Sequence, residues 1–341
     1  MKQFLITISL LCASSMFAQT HRVEVSKIWD NGSHSAFTSL IQFKGDYYCS
    51  FREGESHVFD KKGKAEGKVR IIKSSDGVHW ESAALLSKSG YDLRDPKLSI
   101  TPNGKLMVII GGSIYEDRKL TGRIPQVSFS EDGHVFTDPA PVRIDESAGT
   151  GTDWIWRVTW KGEVGYAAMY SLIGEDKASL CLLATRDGVT YDQITQFYDM
   201  PDFPNEATIR FDVNGDMLMM VRREKGSQKG CWGRSSAPFT EWAWKEMDVR
   251  LGGPDFILLE DGLIVMGTRS HYTSFPKTVL LTGKGSEKFQ EVYVLPSGGD
   301  TSYPGFIVEG NQLWVSYYST HETPLASVYL AKIPLDIFYL K

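Results

Sequence analysis

Arg52, Arg222 and Arg269 stand at matching places along the 341-residue chain: each follows, by seven residues, a glycine inside a short apolar–turn–apolar segment. Guanidinium groups brought together repel one another unless an anion bridges them, and their planar fork of donors suits a carboxylate held by two parallel bonds. The repeated offset therefore points to an anion site, with pairing to a nearby acid such as Glu53 or Glu224 as the competing use. A second set, Phe37, Asp95, Arg157, Glu206, Asp255 and Tyr303, opens the first apolar run of successive segments, in contexts such as LRDPKL, WIWRVTW, PNEATIRF and TSYPGF. Polar groups at such positions cost several kcal/mol to bury without partners, so a ring of them argues for a functional pocket rather than a filler core.

The elements that must position these residues form a repeat. An apolar run, a turn with glycine and a second apolar run occur six times, with turn glycines Gly45, Gly104, Gly162, Gly215, Gly262 and Gly310. Each copy reads as a β-hairpin, because Asn-Gly, Asp-Gly and Lys-Gly pairs suit turns that need positive φ. The spacings of 59, 58, 53, 47 and 48 residues leave room for about four strands per unit. Six such units predict an all-β, six-bladed β-propeller with four-stranded antiparallel blades. A β-sandwich with long hairpins is the runner-up, but it does not call for a repeat of this length. In a propeller the start of each first strand and the end of each second strand meet at one face, which would gather both residue sets.

After the first three hairpins come SSDGVHW, SEDGHVF and TRDGVTY, with Asp76, Asp132 and Asp187 lying 56 and 55 residues apart. Asp bonds backbone N–H groups two residues on, Gly takes the positive φ, and the aromatic residue packs inward. These loops are expected on the outer rim with a structural role. They resemble the Asp-boxes of the sialidase superfamily, one residue shorter than the usual Ser-x-Asp-x-Gly-x-Thr-Trp. The last three units carry SSAPFTEW and TGKGSEKF in two of the corresponding places. The repeat covers nearly all of the chain after its first residues.

The resemblance implies roles. Sialidases hold a substrate carboxylate with three arginines, which Arg52, Arg222 and Arg269 would match. Their catalytic Glu opens blade four, as Glu206 does, and their catalytic Tyr opens blade six, as Tyr303 does. Tyr attacks the anomeric carbon with Glu as its base. A neutral nucleophile avoids repulsion by the sugar's carboxylate, and a phenol needs a base and cationic neighbours to lose its proton. The family's acid/base Asp lies in the blade-one loop, where Asp60 is the only Asp of EGESHVFDKKGKAEGK. His57 in the same loop is an alternative proton donor, since histidine exchanges protons near neutral pH. Asp95 is a further alternative, though the family places a substrate-contacting Asp near it. Phe51-Arg52-Glu53-Gly54 departs from the family's Phe-Arg-Ile-Pro. Arg94 is expected to bind a neighbouring carboxylate, and Arg157 is flanked by Trp154, Trp156 and Trp160, aromatics suited to sugar stacking or to core packing. His34, His271, Tyr272 and His321 fall in loops near the same face.

The resulting expectation is an exported glycoside hydrolase that releases a terminal acidic sugar, sialic acid or a related keto-acid sugar, with retention through a glycosyl-tyrosine. The alternatives are a propeller glycosidase for neutral sugars using Asp95 and Glu206 as a carboxylate pair, and a non-catalytic carbohydrate-binding propeller. A net charge of −5 and pI near 5.9 offer no basic excess for nucleic acid. The expected partner is therefore a glycan. Residues 1–18, with Lys2, an apolar run from Phe4 to Leu11 and Ala18, read as a signal peptide ahead of one domain at 19–341. A lipoprotein anchor at Cys12 is the lesser alternative, and the expected location is periplasmic or extracellular. Cys49, Cys181 and Cys231 are odd in number and read as small buried hydrophobes. No residue spacing suggests zinc, a phosphate loop or a nucleotide motif, so no metal or cofactor is expected.

Overall fold

The computed structural model describes residues 22–271, 275–285 and 288–339, so the leader reading, the anchor at Cys12 and Tyr272 lie outside the described residues. Six sheets follow one another around a ring, antiparallel except where the short outer segment Arg143–Ile144 pairs in parallel with Thr190–Phe197. Blade one is His34–Phe43, Asp46–Gly54, Lys68–Ser74 and Glu81–Leu86, from inside out. Blade two begins with Asp92–Ile100, blade three with Asp153–Lys161, blade four with Pro204–Phe211, blade five with Asp255–Leu258 and blade six with Thr301–Glu309. The outermost strand of blade six is Glu24–Trp29, paired antiparallel with Ser327–Pro334, so the beginning of the described chain closes the ring on its end.

The turn glycines do what the sequence predicts: all six have positive φ, between 56° and 90°. Apolar clusters fill the seams between neighbouring blades. One, for example, joins Phe43 and Tyr48 of blade one to Leu98 and Val108 of blade two. Cys49, Cys181 and Cys231 are buried and unbridged within these layers.

The three Asp-Gly-aromatic loops turn between third and fourth strands. Asp76, Asp132 and Asp187 each accept two backbone N–H groups, from Val78 and His79, His134 and Val135, and Val189 and Thr190. Their glycines also meet the preceding blade. A Cβ on Gly77, Gly133 or Gly188 would fall within 2.7 Å of Trp314, Tyr48 or Met107, respectively. These loops thus join one blade to the next. Since strands alternate in direction, they lie at the opposite end of the ring from the starts of the first strands.

Candidate active site

Five of the six first strands bulge near their start. Register is lost between Ala36 and Ser39, Arg94 and Lys97, Ile155 and Val158, Pro204 and Ala207, and Ser302 and Gly305. In each case two residues oppose one on the partner strand, which bends the chain and re-aims a side chain. Phe37, Asp95, Arg157, Glu206 and Tyr303 all sit inside these bulges. Phe37, Asp95 and Tyr303 hold positive φ of 69°, 45° and 51°. That conformation costs a non-glycine residue about 1–3 kcal/mol, a strain that packed folds concentrate at functional sites.

The bulges bring Tyr303 of blade six onto Glu206 of blade four. The phenol donates to Glu206 Oε1 at 2.5 Å, and Arg222 places Nη1 2.7 Å from Oε2 and 3.3 Å from the phenol oxygen. The backbone N–H of Gly253 also donates to Oε2, at 3.1 Å. Burial, followed by the negative charge of Glu206, pushes the Tyr303 phenol well above its ordinary range, and Arg222 only partly opposes this. Tyr303 is therefore a neutral phenol whose proton already points at a carboxylate. Around its ring stand Phe37 at 4.9 Å, Trp156 at 5.7 Å and Tyr318 at 6.0 Å between centroids.

The three arginines do not form one clamp. Arg52 pairs with Ala36, immediately before the blade-one bulge. The equivalent pair in blade four is Pro204 with Arg223, not Arg222. The blade-one hairpin joins Phe43 directly to Asp46 across two residues, whereas that of blade four spans Phe211 to Met217. Counting from the glycine therefore slips by one residue, and one residue reverses the face of a strand. Arg52 is 1% exposed. It bonds Asp92 at 2.9 Å and the carbonyls of Ser56 and Val58 at 2.7 and 3.2 Å. Arg94 bonds the other oxygen of Asp92 and the carbonyl of His57, both at 3.1 Å. Two arginines on one carboxylate thus hold three successive carbonyls, and His57 is at their centre. Arg223 is locked in the same manner by Asp202 and Glu246.

Arg222 is shared between Glu206 and Glu224. Arg269 donates to the carbonyl of Thr301 at 2.8 Å and has no carboxylate partner among the described residues. Arg157 is neutralised by Asp255, which also receives Arg210. Asp60 is not brought to the centre: its Oδ1 accepts the N–H groups of Lys62 and Lys64 in a turn. The blade-one loop instead presents His57. Its Nδ1 lies 2.6 Å from Asp300 Oδ2, and its ring packs edge-on against Phe37 at 5.1 Å. His34 Nε2 meets the same oxygen at 3.0 Å, and Tyr318 donates to Oδ1 at 2.9 Å. Burial raises the pKa of Asp300, but the hydrogen bonds from His34 and His57 outweigh it and hold the carboxyl well below the usual range.

Asp95 is buried, and its Oδ1 has no partner among the described residues. Burial raises its pKa, with Lys97 and Arg94 opposing and Glu206 adding to the rise. Lys97 is absent from the sequence-derived set. Its ammonium is buried 4.8 Å from the Trp156 ring centroid and 5.6 Å from that of Tyr303. Burial pulls it down to about 8, against the attraction of Asp95. Asp300 and Tyr318 were also missed. Lys97, Asp300 and Tyr318 lie in strand-rich or loop segments where no local spacing marks them, and the bulges and blade order alone bring them in.

No protein-family model matches the sequence, and no curated protein matches it. Solved structures do resemble the fold. A protein of unknown function from Dyadobacter fermentans superposes with a TM-score of 0.76 at 18% identity, over 91% of this chain and 99% of its own. The sialidase of Trypanosoma rangeli, solved with sialic acid, gives 0.69 at 11% identity, and this chain spans 58% of its length. An α-L-arabinofuranosidase of family GH93 from Fusarium graminearum, solved with arabinobiose, gives 0.64 at 14% identity over 91% and 96% of the two chains. The chain thus has the six-bladed propeller architecture that a trypanosomal sialidase and a fungal arabinofuranosidase also adopt.

Proposed function

We propose that the protein is a retaining glycoside hydrolase in which Tyr303 is the nucleophile and Glu206 its base. The observation that carries this reading is the 2.5 Å bond from the Tyr303 phenol to Glu206, bridged by Arg222 and buried at the convergence of blades four and six. A structural Tyr–Glu contact has no need of a bulge under each partner, nor of the positive φ that Tyr303 holds. In the first step Glu206 Oε1 takes the phenol proton as Tyr303 Oη bonds the anomeric carbon. The glycosidic C–O bond breaks, and the leaving oxygen takes a proton from His57, whose Nδ1 Asp300 fixes. Water then attacks the same carbon and gives its proton to His57, while Tyr303 leaves and recovers its proton from Glu206.

Arg269, with no carboxylate partner among the described residues, is the group that would hold a sugar carboxylate, and Asp95 Oδ1 is placed to accept a substrate hydroxyl. The substrate class is a terminal acidic sugar, for which a neutral nucleophile is the suited choice. One observation favours a second reading, a neutral sugar: Arg52 and Arg222 are already paired, so a single arginine replaces the expected clamp. In that reading Asp95, its pKa raised by burial, serves with Glu206 as an acid–base pair.

Fluorogenic glycosides of sialic acid and of arabinose, assayed with wild type and Tyr303→Phe, test both. Turnover of the acidic glycoside that disappears in Tyr303→Phe supports the first reading. Turnover of neutral sugars only, undiminished in that variant, overturns it. The anomer first formed, read by proton NMR, separates retention from inversion.

A further inference from the structure

We infer that His34, His57 and Asp300 form a binding site for a divalent transition metal, with zinc the best fit, at the seam between blades one and six. His34 Nε2, His57 Nδ1 and Asp300 Oδ2 all lie within 4.8 Å of one another. The chain separations of 266 and 243 residues explain why no sequence spacing reveals the set. Zinc takes imidazole nitrogen and carboxylate oxygen at about 2.0–2.2 Å, often with three protein ligands and one open position. An ion between these atoms displaces the two hydrogen-bonding protons and requires the observed 2.6 and 3.0 Å contacts to open to roughly 3.3 Å, the edge of a tetrahedron with arms of about 2.0 Å. Two imidazoles with one carboxylate suit zinc and its neighbours better than magnesium or calcium, which prefer oxygen.

The surroundings separate this group from three other acids of the centre. Asp92, Asp255 and Glu206 are each met by arginine. Asp300 has no Lys or Arg ion pair among the described residues, and only histidines and a phenol reach it. Its geometry is set in advance: Tyr318 holds Oδ1, and its own N–H donates to Thr320 Oγ1 at 3.0 Å. Ligands held by such outer hydrogen bonds keep their orientation. His34 Nδ1 is buried with no partner among the described residues, whereas Nε2 donates its proton to Asp300, so an ion that takes Nε2 displaces that proton to Nδ1 or to solvent. His57 is exposed, which gives an ion a way in.

Metal binding would also occupy His57 Nδ1 and displace its bond to Asp300. If His57 is the proton donor, zinc inhibits; this second half rests on the proposed reaction, and the first half does not.

Titration of zinc chloride into the metal-free full-length chain by calorimetry tests the site directly, with magnesium chloride as the control. One zinc per chain is expected, with release of protons on binding. His57→Ala, at an exposed position, and His34→Ala are each expected to weaken zinc by about tenfold or more. Cobalt added in place of zinc should give visible absorption bands that both variants lose. No saturable one-to-one binding, or binding left intact in folded His57→Ala, overturns the site. Zinc that binds at these residues without slowing glycoside turnover overturns the role given to His57 and leaves the metal site standing.

Discussion

Replacing Arg52 by leucine distinguishes a substrate clamp from a scaffold. The wild-type guanidinium is enclosed, with Asp92 on one side and the carbonyls of Ser56 and Val58 on the other. Removing one partner of a buried ion pair costs about 3–5 kcal/mol, because the remaining charge loses its compensation. Asp92 would still keep Arg94 at 3.1 Å and the Gly67 N–H at 2.8 Å, which favours the lower end. A loss of about 3 kcal/mol, at roughly 2 °C per kcal/mol for a chain of this size, lowers Tm by about 6 °C. Freeing two of the three carbonyls around His57 should also lower kcat through the proton donor, with KM for an acidic glycoside little changed. Arg269→Leu should do the reverse, raising KM with little effect on Tm. Differential scanning fluorimetry and steady-state kinetics on both variants read the contrast. A variant of Arg52 that keeps its Tm and raises KM as far as Arg269→Leu does would refute the reasoning.

Other outcomes follow from the same geometry. Tyr303→Phe should retain binding of an acidic sugar, measured by calorimetry, while turnover falls by about 100-fold or more. His57→Asn should flatten one limb of the pH dependence of kcat, and a leaving group that needs no proton should recover much of the lost rate. Lys97 gives a stability signature. Its fall from an ordinary 10.5 to about 8 corresponds to about 3 kcal/mol of disfavoured charge. Below pH 8 both folded and unfolded chains carry the proton and the cost is present in full. From pH 8 to 10.5 the unfolded chain holds the proton that the folded chain has shed, so stability rises with pH. Urea midpoints at pH 7 and pH 10 should show wild type gaining on Lys97→Met across that range.

The fold was legible because its punctuation is local. A hairpin glycine at positive φ and an Asp that binds the next two N–H groups both announce themselves in a few residues, and both recur at blade spacing. Tyr303 and Glu206 were legible because each opens a first strand, where the bulges lie. Arg52 was misplaced for a physical reason: hairpin loops of unequal length shift the count by one, and a strand turns a shift of one into the opposite face. From the sequence, Asp60 is one candidate acid beside His57 and Asp95, because the resemblance calls for an Asp in that loop, yet the lysines after it make a turn that consumes its side chain. Lys97 and Asp300 carry no local mark, since their surroundings are assembled from several blades. The His34–Asp300 contact exists only because the ring closes.

That closure has a topological consequence. The blade that carries Tyr303 on its innermost strand is finished on its outside by Glu24–Trp29, from the far end of the chain. Every other blade is drawn from one continuous stretch, whereas this one is complete only after the ribosome has supplied both. The support of Tyr303 is therefore assembled last, and the circle has no free blade from which unravelling could start. Detaching that single peripheral strand would expose a sheet edge on the blade that holds Tyr303.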